Sequence, residues 1–359
     1  MSLFEAVGRR ALFALDPETA HGLSIAALKC GAPFGTCSPP DANLALDLCG
    51  LKFPNPLGMA AGYDKNAEVP DDLLRLGFGF AEVGTITPLP QGGNPKPRIF
   101  RLSEDEAVVN RLGFNNQGHD AADARLKQRR AKDGIVGVNV GANKDISDRF
   151  ADYERGVERF SSLASYLTVN ISSPNTPGLR NMQARASLAE LLERVVRARE
   201  SASRKPPIFL KIAPDLVDEE LHDIASEVLE KRIDGVIVSN TTLSRAGLLS
   251  AAAKEAGGVS GKPLFERSTI VLARMRRLLG PDVALIGVGG INSAETALEK
   301  IRAGADLVQL YTAMIYAGPG LPGRIIRDMG RTVAALGAAN VRALRDTRLD
   351  DWAERPLSA

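Results

Sequence analysis

A closed (β/α)8 barrel is the architecture this sequence predicts, on three observations. From Pro56 onward, short β-branched runs alternate with amphipathic helical stretches. The runs number eight, the count at which strand–helix units of the TIM barrel type close on themselves. The fingerprint of an open dinucleotide-binding sheet is missing: "GFGFAE" at 77–82 has Glu82 where a third glycine belongs, and "GVGG" at 287–290 comes late.

The strands are expected at 57–60, 80–85, 135–140, 167–171, 208–212, 236–239, 284–288 and 307–310. Each is a compact apolar run, as strands buried on both faces require. Helices between them are expected at 187–202, 218–231 and 293–303, among others. Two inserted β-hairpins break the alternation. "LALDLCGLKFPNPL" precedes the first barrel strand and is placed to plug the barrel floor, and "KPRIFRLSEDEAVVNRLGFNN" interrupts the second interval.

Residues 1–40 read as a separate N-terminal helical segment, and 41–359 as the barrel. Leu3, Phe4, Val7, Ala11, Leu12 and Leu15 recur at helical spacing beside Arg9 and Arg10, and Asp16-Pro17-Glu18 is a cap and first turn for a second helix. Such a pair packs on its own domain or lies on a membrane surface. "ALFAL" is too short for a signal peptide core, and no apolar run approaches the roughly 18 residues of a spanning helix.

The bulk numbers exclude several classes. A balance of 45 basic and 43 acidic residues in 359, net +2, gives a nucleic-acid partner no electrostatic support. Cys30, Cys37 and Cys49 lack CxxC spacing, so no metal site is signalled, and three cysteines suit a reducing cytosol.

In such a barrel the chemistry sits at the strand C-termini. Read in order, those ends are "AAGYDKN", "VGTIT", "VNVGAN", "VNISSPN", "LKIAPD", "VSNTT", "GVGGI" and "QLYTA", nearly all carrying a polar side chain or a glycine. Together they imply a large ligand across the barrel top. Amides dominate: Asn110, Asn139, Asn170, Asn175 and Asn240 offer donor and acceptor on an uncharged plane, matching a neutral ring edge such as a pyrimidine or a flavin. Lys65 could hold a carboxylate or phosphate, or be a solvated surface lysine. Lys211 stands inside an apolar strand, where an unpaired charge is expensive, so it reads as functional, as a flavin partner or a Schiff-base lysine. The glycines at 257–261 and 287–290 fall where many barrels bind phosphate. Ser173 has no GxSxG elbow around it, and His21, His119 and His222 lie away from the strand ends. If Ser173 reacts, it passes a proton rather than attacking an acyl group.

These strings together resemble the dihydroorotate dehydrogenase family, in its membrane-associated, quinone-using class 2. The matching stretches include "AAGYDKN", "VGTITPLPQGGNPKPRIFRL", "NRLGFNN", "VNISSPNTPGLR", "SNTT", "GGVSGKPL", "GVGGI" and "QLYT", in family order, with Tyr63 and Val259 as small departures. The resemblance implies one FMN per chain, oxidation of (S)-dihydroorotate to orotate in pyrimidine (UMP) biosynthesis, and a membrane quinone as acceptor. It places Ala61, Gly62, Tyr63, Asp64, Lys65 and Thr85 at the cofactor. Asn139, Asn170, Lys211 and Ser239 join them, as do Gly261, Gly290, Tyr311 and Thr312. Substrate would meet Lys65, Asn110, Arg111, Leu112, Gly113 and Phe114, then Asn170, Asn175, Asn240 and Thr241. Ser173 would take the C5 proton while hydride leaves C6 for flavin N5, with Thr176 as a candidate relay. A serine base, with no cysteine after Cys49, and an N-terminal helical pair mark the quinone class. His21, Arg101 and Tyr311 become quinone-site candidates, on a monomer held peripherally at the cytoplasmic side of the cell membrane. The rival readings are an FMN barrel acting on another ring, a Schiff-base lyase using Lys211, and a non-catalytic membrane-surface scaffold.

Overall fold

The computed structural model describes residues 8, 10, 12–32, 41–129, 133–176 and 178–357. Leu3, Phe4, Val7, Arg9, Ala11 and Cys37, on which part of the N-terminal reading rests, lie outside the described residues, as does Pro177.

In chain order the strands are β1 (Leu46–Leu48), β2 (Leu51–Phe53), β3 (Leu57–Met59), β4 (Phe80–Ile86), β5 (Ile99–Leu102), β6 (Ala107–Asn110), β7 (Ile135–Val140), β8 (Tyr166–Asn170), β9 (Ile208–Ile212), β10 (Gly235–Val238), β11 (Gly258–Gly261), β12 (Ala284–Val288) and β13 (Leu307–Leu310). β3, β4, β7, β8, β9, β10, β12 and β13 form a closed parallel barrel, sealed where Leu310 of β13 stands opposite Met59 of β3. Every barrel strand lies within one residue of its expected bounds.

The barrel interior is filled from its N-terminal end by rings. Phe80, Tyr166 and Phe209 stack edge-to-face along the inner wall, and glycines on neighbouring strands make room for them: a Cβ on Gly58, Gly137 or Gly235 would strike one of these rings. Large side chains against small ones is how a narrow cylinder reaches interior density. The β1–β2 hairpin closes the floor as expected, with Phe53 edge-on to Phe80 at 5.3 Å. A second apolar layer lies between the strands and the outer helices, where Leu188, Leu191, Leu192 and Val195 of Arg185–Ser201 are buried at helical spacing.

The insertion forms the expected β5–β6 hairpin, but a third strand joins it. The glycine run read as a phosphate loop is β11, pairing with β6 through Val259 opposite Val109. The glycines there serve close packing, since a Cβ on Gly258 would strike the Thr241 side chain.

The Pro17–Lys29 helix lies over the barrel mouth. Asp16 caps it, accepting from the Glu18 and Thr19 backbone N–H groups at 3.0 Å each. Glu18 then grips Arg98 of the insertion at 3.0 and 2.6 Å, and Lys29 pairs with Glu68. The polar tail, without a role in the sequence reading, is a clamp. Trp352 is buried edge-on to Phe265 and donates Nε1–H to Glu299 at 2.7 Å.

Candidate active site

The strand C-termini open into one cavity of about 780 Å³, a volume typical of a site for a drug-sized ligand or cofactor. Ser173 is on its wall at the end of β8, only 5 % exposed. Its Oγ accepts from the Asn175 backbone N–H at 3.3 Å. The loop is clamped from three sides. Arg180 donates to the Ser172 carbonyl at 3.2 Å and the Thr241 carbonyl at 2.9 Å, and pairs with Asp215 at 2.9 Å. Tyr153 donates to the Asn170 carbonyl at 2.7 Å, and Asn175 Nδ2 to Asn110 Oδ1 at 3.3 Å.

The amides at the strand ends form one chain, and its direction is set at the bottom. Glu82, fully buried in β4, accepts from Asn139 Nδ2 at 2.8 Å, Gln309 Nε2 at 2.9 Å and Tyr166 OH at 3.0 Å. A carboxylate only accepts, so Asn139 turns its NH2 down and its Oδ1 up, where Thr85 donates at 2.6 Å. Thr85 Oγ1 in turn accepts from Asn170 Nδ2 at 2.9 Å. Asn170 Oδ1 accepts from Ser172 Oγ at 2.9 Å, and Asn240 Nδ2 donates to Ser172 Oγ at 3.0 Å. The rim amides therefore present fixed polarity to whatever lies across them.

Two lysines charge the cavity. Lys65 Nζ donates to the Gly62 carbonyl at 2.7 Å and meets His21 Nε2 at 3.2 Å. Burial pushes its pKa down to about 8, with Glu18 and Asp64 pulling the other way. Lys211 faces the cavity from β9 with no hydrogen-bond partner among the described residues. Burial lowers its pKa, and the field of Glu82 opposes that. A buried ammonium without a partner calls for an anion or an electron-rich ring above it. Thr241 Oγ1, also buried, lacks a partner too.

At the other end, His21, Tyr63 and Tyr311 pack ring against ring at 5.3 to 6.4 Å under the Pro17–Lys29 helix. Burial, then Lys65, lowers His21 to about 3, so its imidazole is neutral at neutral pH. Accepting from Lys65 at Nε2, it carries its proton on Nδ1, facing the Tyr311 hydroxyl at 3.3 Å. His21 thus stands at the barrel mouth, not away from it. Arg101 binds the Leu12, Phe13 and Leu15 carbonyls at 2.9 to 3.1 Å and stacks over Phe13. Leu12, Phe13, Leu15, Leu23 and Ala27 make the entrance apolar.

Around this cavity stand Ala61, Gly62, Tyr63, Lys65, Thr85, Asn170, Lys211 and Ser239 of the expected cofactor set, with Gly261, Gly290, Tyr311 and Thr312. Asn110, Leu112, Gly113, Phe114, Asn175, Asn240 and Thr241 line it as well. Three expected residues do not. Asp64 turns inward and accepts from the Asn66, Glu68 and Val69 N–H groups, shaping the loop that carries Lys65. Asn139 lies one layer below, in the amide chain. Arg111 points its guanidinium away, to Glu255 at 2.9 Å and the Pro97 carbonyl at 2.9 Å. Sequence reasoning missed Glu82, Gln309 and Arg180. For the first two the signal was the one used for Lys211, a polar residue inside an apolar strand.

The family described as dihydroorotate dehydrogenase matches residues 43–333. A relative from Mesorhizobium japonicum, "Dihydroorotate dehydrogenase (quinone)", is 70% identical over the whole of both chains. One of the same name from Brucella anthropi is 66% identical over 99% of both. Among solved structures, ligand-free DHODH from Eimeria tenella superposes with TM-score 0.89 at 40% identity, covering 95% of this chain and 100% of that one. The same protein with ferulenol gives 0.88 at 40% identity, over 92% and 95% of the two chains. With the fold, the rim and matches of this length in agreement, the chain belongs to the dihydroorotate dehydrogenase family, in its quinone-dependent class.

Proposed function

We propose that this chain oxidises (S)-dihydroorotate to orotate in pyrimidine synthesis, with FMN as its cofactor and a membrane quinone as acceptor. The observation that carries the reading is a single cavity joining a buried serine, a lysine and a polar rim at one end to an aromatic, apolar mouth at the other. The residues fit FMN. Lys211 and Thr241 Oγ1 are polar groups without partners that a flavin edge would satisfy. Gly290, at φ +73°, lies so close to the helix Phe265–Leu279 that a Cβ would stand 2.5 Å from Phe265 Cα, leaving a cradle for a phosphate with Gly261, Tyr311 and Thr312 beside it.

When bound, FMN would supply a two-electron acceptor for hydride from the substrate, with a quinone as the final acceptor. Lys65 holds the substrate carboxylate, and Asn110, Asn175 and Asn240 orient the ring against the flavin. Backbone from Arg111 to Phe114, rather than the Arg111 guanidinium, borders the substrate. Ser173 Oγ accepts the C5 proton as its own hydroxyl proton leaves by the exit path. The Asn175 N–H at 3.3 Å favours negative charge growing on that oxygen. Burial of Ser172, Ser173 and Thr176 keeps bulk water from Oγ, so the proton needs a guided exit.

Thr176, 4 % exposed, is the relay candidate. No hydrogen bond joins its hydroxyl to Ser173 Oγ, so the transfer passes through a bridging water. Thr176→Val is expected to slow flavin reduction by dihydroorotate about tenfold, read by stopped flow, while reoxidation by quinone is unchanged. An unchanged reduction rate would remove Thr176 from the path.

Lys65 gives a pH signature. Its ammonium is present below about 8 and lost above. Because the charged form binds the carboxylate, kcat/KM for dihydroorotate should fall as pH rises through that value. In the complex the carboxylate holds the proton on, so kcat should fall only at higher pH. Coincident breaks in the two profiles would count against this role.

The N-terminal segment is proposed to face the membrane, with the Pro17–Lys29 helix bordering an entry for quinone beside His21, Arg101 and Tyr311. No helix among the described residues is long and apolar enough to cross a membrane, and the proposed contact is peripheral, by a monomer on the cytoplasmic face. The deciding experiment adds dihydroorotate to the anaerobic protein, then a quinone or NAD. Bleaching of a yellow protein, with colour returning only with quinone, is expected. A colourless protein, or recovery with NAD, overturns the reading.

A further inference from the structure

Lys300 lies on the helix Ala294–Arg302 with no exposure at all. Its stem runs beneath β12, where a Cβ on Gly287 would come within 3.0 Å of Lys300 Cδ. Nζ donates to Ser268 Oγ and Thr269 Oγ1, both at 2.9 Å, and stands 5.1 Å from the Phe265 ring centroid. Each hydroxyl has one proton to donate: Ser268 shares its own among the Leu264, Phe265 and Gly289 carbonyls at 2.7, 3.2 and 3.4 Å, and Thr269 donates to the Phe265 carbonyl at 2.6 Å. They solvate the ammonium without neutralising it.

No acid approaches. Glu299 on the same helix is engaged by Trp352 and Arg348. Glu266 faces Arg355, and Arg267 faces Asp215. Arg276 is held by Asp306. Burial drives the Lys300 pKa well below the ordinary lysine value, with no charged group offsetting it. Ser268 and Thr269 stand at the start of the helix Phe265–Leu279, whose dipole adds positive potential there. For packing alone, an apolar side chain of similar volume would serve at lower cost.

The position supplies the reason. Ser268 Oγ lies 3.4 Å from the Gly289 carbonyl oxygen, and Gly290 rests on the Phe265 backbone. Lys300 is therefore one hydroxyl removed from the turn proposed to cradle the cofactor phosphate.

We propose that Lys300 is a positioning residue for the cofactor phosphate: a buried counter-cation that acts through Ser268 and the Gly289–Gly290 turn without touching the ligand. The inference rests on the FMN reading above. A dianion arriving at the turn raises the Lys300 pKa from its depressed value, so at a pH between the free and bound values FMN takes up a proton on binding, while riboflavin, which lacks the phosphate, does not.

The test titrates full-length apoprotein, wild type and Lys300→Met, with FMN, riboflavin and inorganic phosphate. Calorimetry is run in two buffers of different ionisation enthalpy. Wild type is expected to prefer FMN and to take up a proton with it. Lys300→Met should lose roughly tenfold or more in FMN affinity, keep its riboflavin affinity, show no proton uptake, and melt at or above the wild-type temperature. A variant that fails to fold, or weakens for both flavins alike, marks a structural lysine and overturns the proposal. So does an unchanged preference for FMN over riboflavin, or wild-type binding without proton uptake. Wild type that binds neither flavin removes the FMN reading instead. Lys300 is then judged on inorganic phosphate: stabilisation of wild type but not of Lys300→Met upholds it, and equal stabilisation overturns it.

Discussion

Ser173→Ala is expected to slow flavin reduction by dihydroorotate by about 10²–10⁴-fold, the range a positioned acid or base contributes. Arg180, Tyr153 and the Asn175–Asn110 contact hold the Ser173 loop rigid, and the substrate contacts proposed for Lys65 and the amides do not depend on the serine. Removing the hydroxyl should leave the ligand seated, so orotate affinity should change by less than about threefold. Reoxidation by quinone, which uses the far end of the cavity, should be unaffected. A reduction rate within threefold of wild type would mean that the C5 proton leaves by another route. Equal losses in orotate affinity and rate would mean that Ser173 binds rather than reacts. Because the serine is 5 % exposed, bulk water is poorly placed to replace it, which is why the effect should lie well above a marginal one.

How much of this was legible in the residues depends on range. The barrel was, because each strand announces itself locally: β7, β9, β12 and β13 are short apolar runs, interrupted by at most one polar residue, whose bounds follow from composition alone. The Ser173 loop was legible because Asn170, Ser172, Ser173, Asn175 and Thr176 cluster around Pro174, just where the apolar run of β8 stops. What escaped was set by pairing at long range. β11 reads as a glycine loop until β6, about 150 residues earlier in the chain, offers it an edge. Arg111 sits in a motif that borders the cavity, yet its side chain answers Glu255, some 144 residues later. Asp64 follows the same logic at short range, where three backbone N–H groups outbid the ligand for its carboxylate. Neighbourhood in sequence decides which backbone reaches a site. Which side chains turn into it is decided by partners the local pattern does not contain.

Glu82 is where that distinction has its largest effect on stability. Glu82→Leu leaves Asn139 Nδ2, Gln309 Nε2 and Tyr166 OH without their acceptor in the sealed barrel. Each stranded donor costs about 1–3 kcal/mol, and together they claim a large share of a total near 5–15 kcal/mol. We expect a melting temperature lower by on the order of 10 °C, or no folded protein. Glu82→Gln should fare far better. Its oxygen can still face Asn139, and its NH2 can meet Gln309 Oε1, which now lacks a partner, once that amide turns over. The isostere should therefore fold, keep the direction of the Asn139–Thr85–Asn170 chain, and differ from wild type mainly through the lost charge near Lys211. With flavin bound, that loss should appear as a shifted flavin reduction potential at unchanged orotate affinity. If both variants melt with the wild type, water has replaced the carboxylate among its donors, and the rim amides owe their orientation to something other than Glu82.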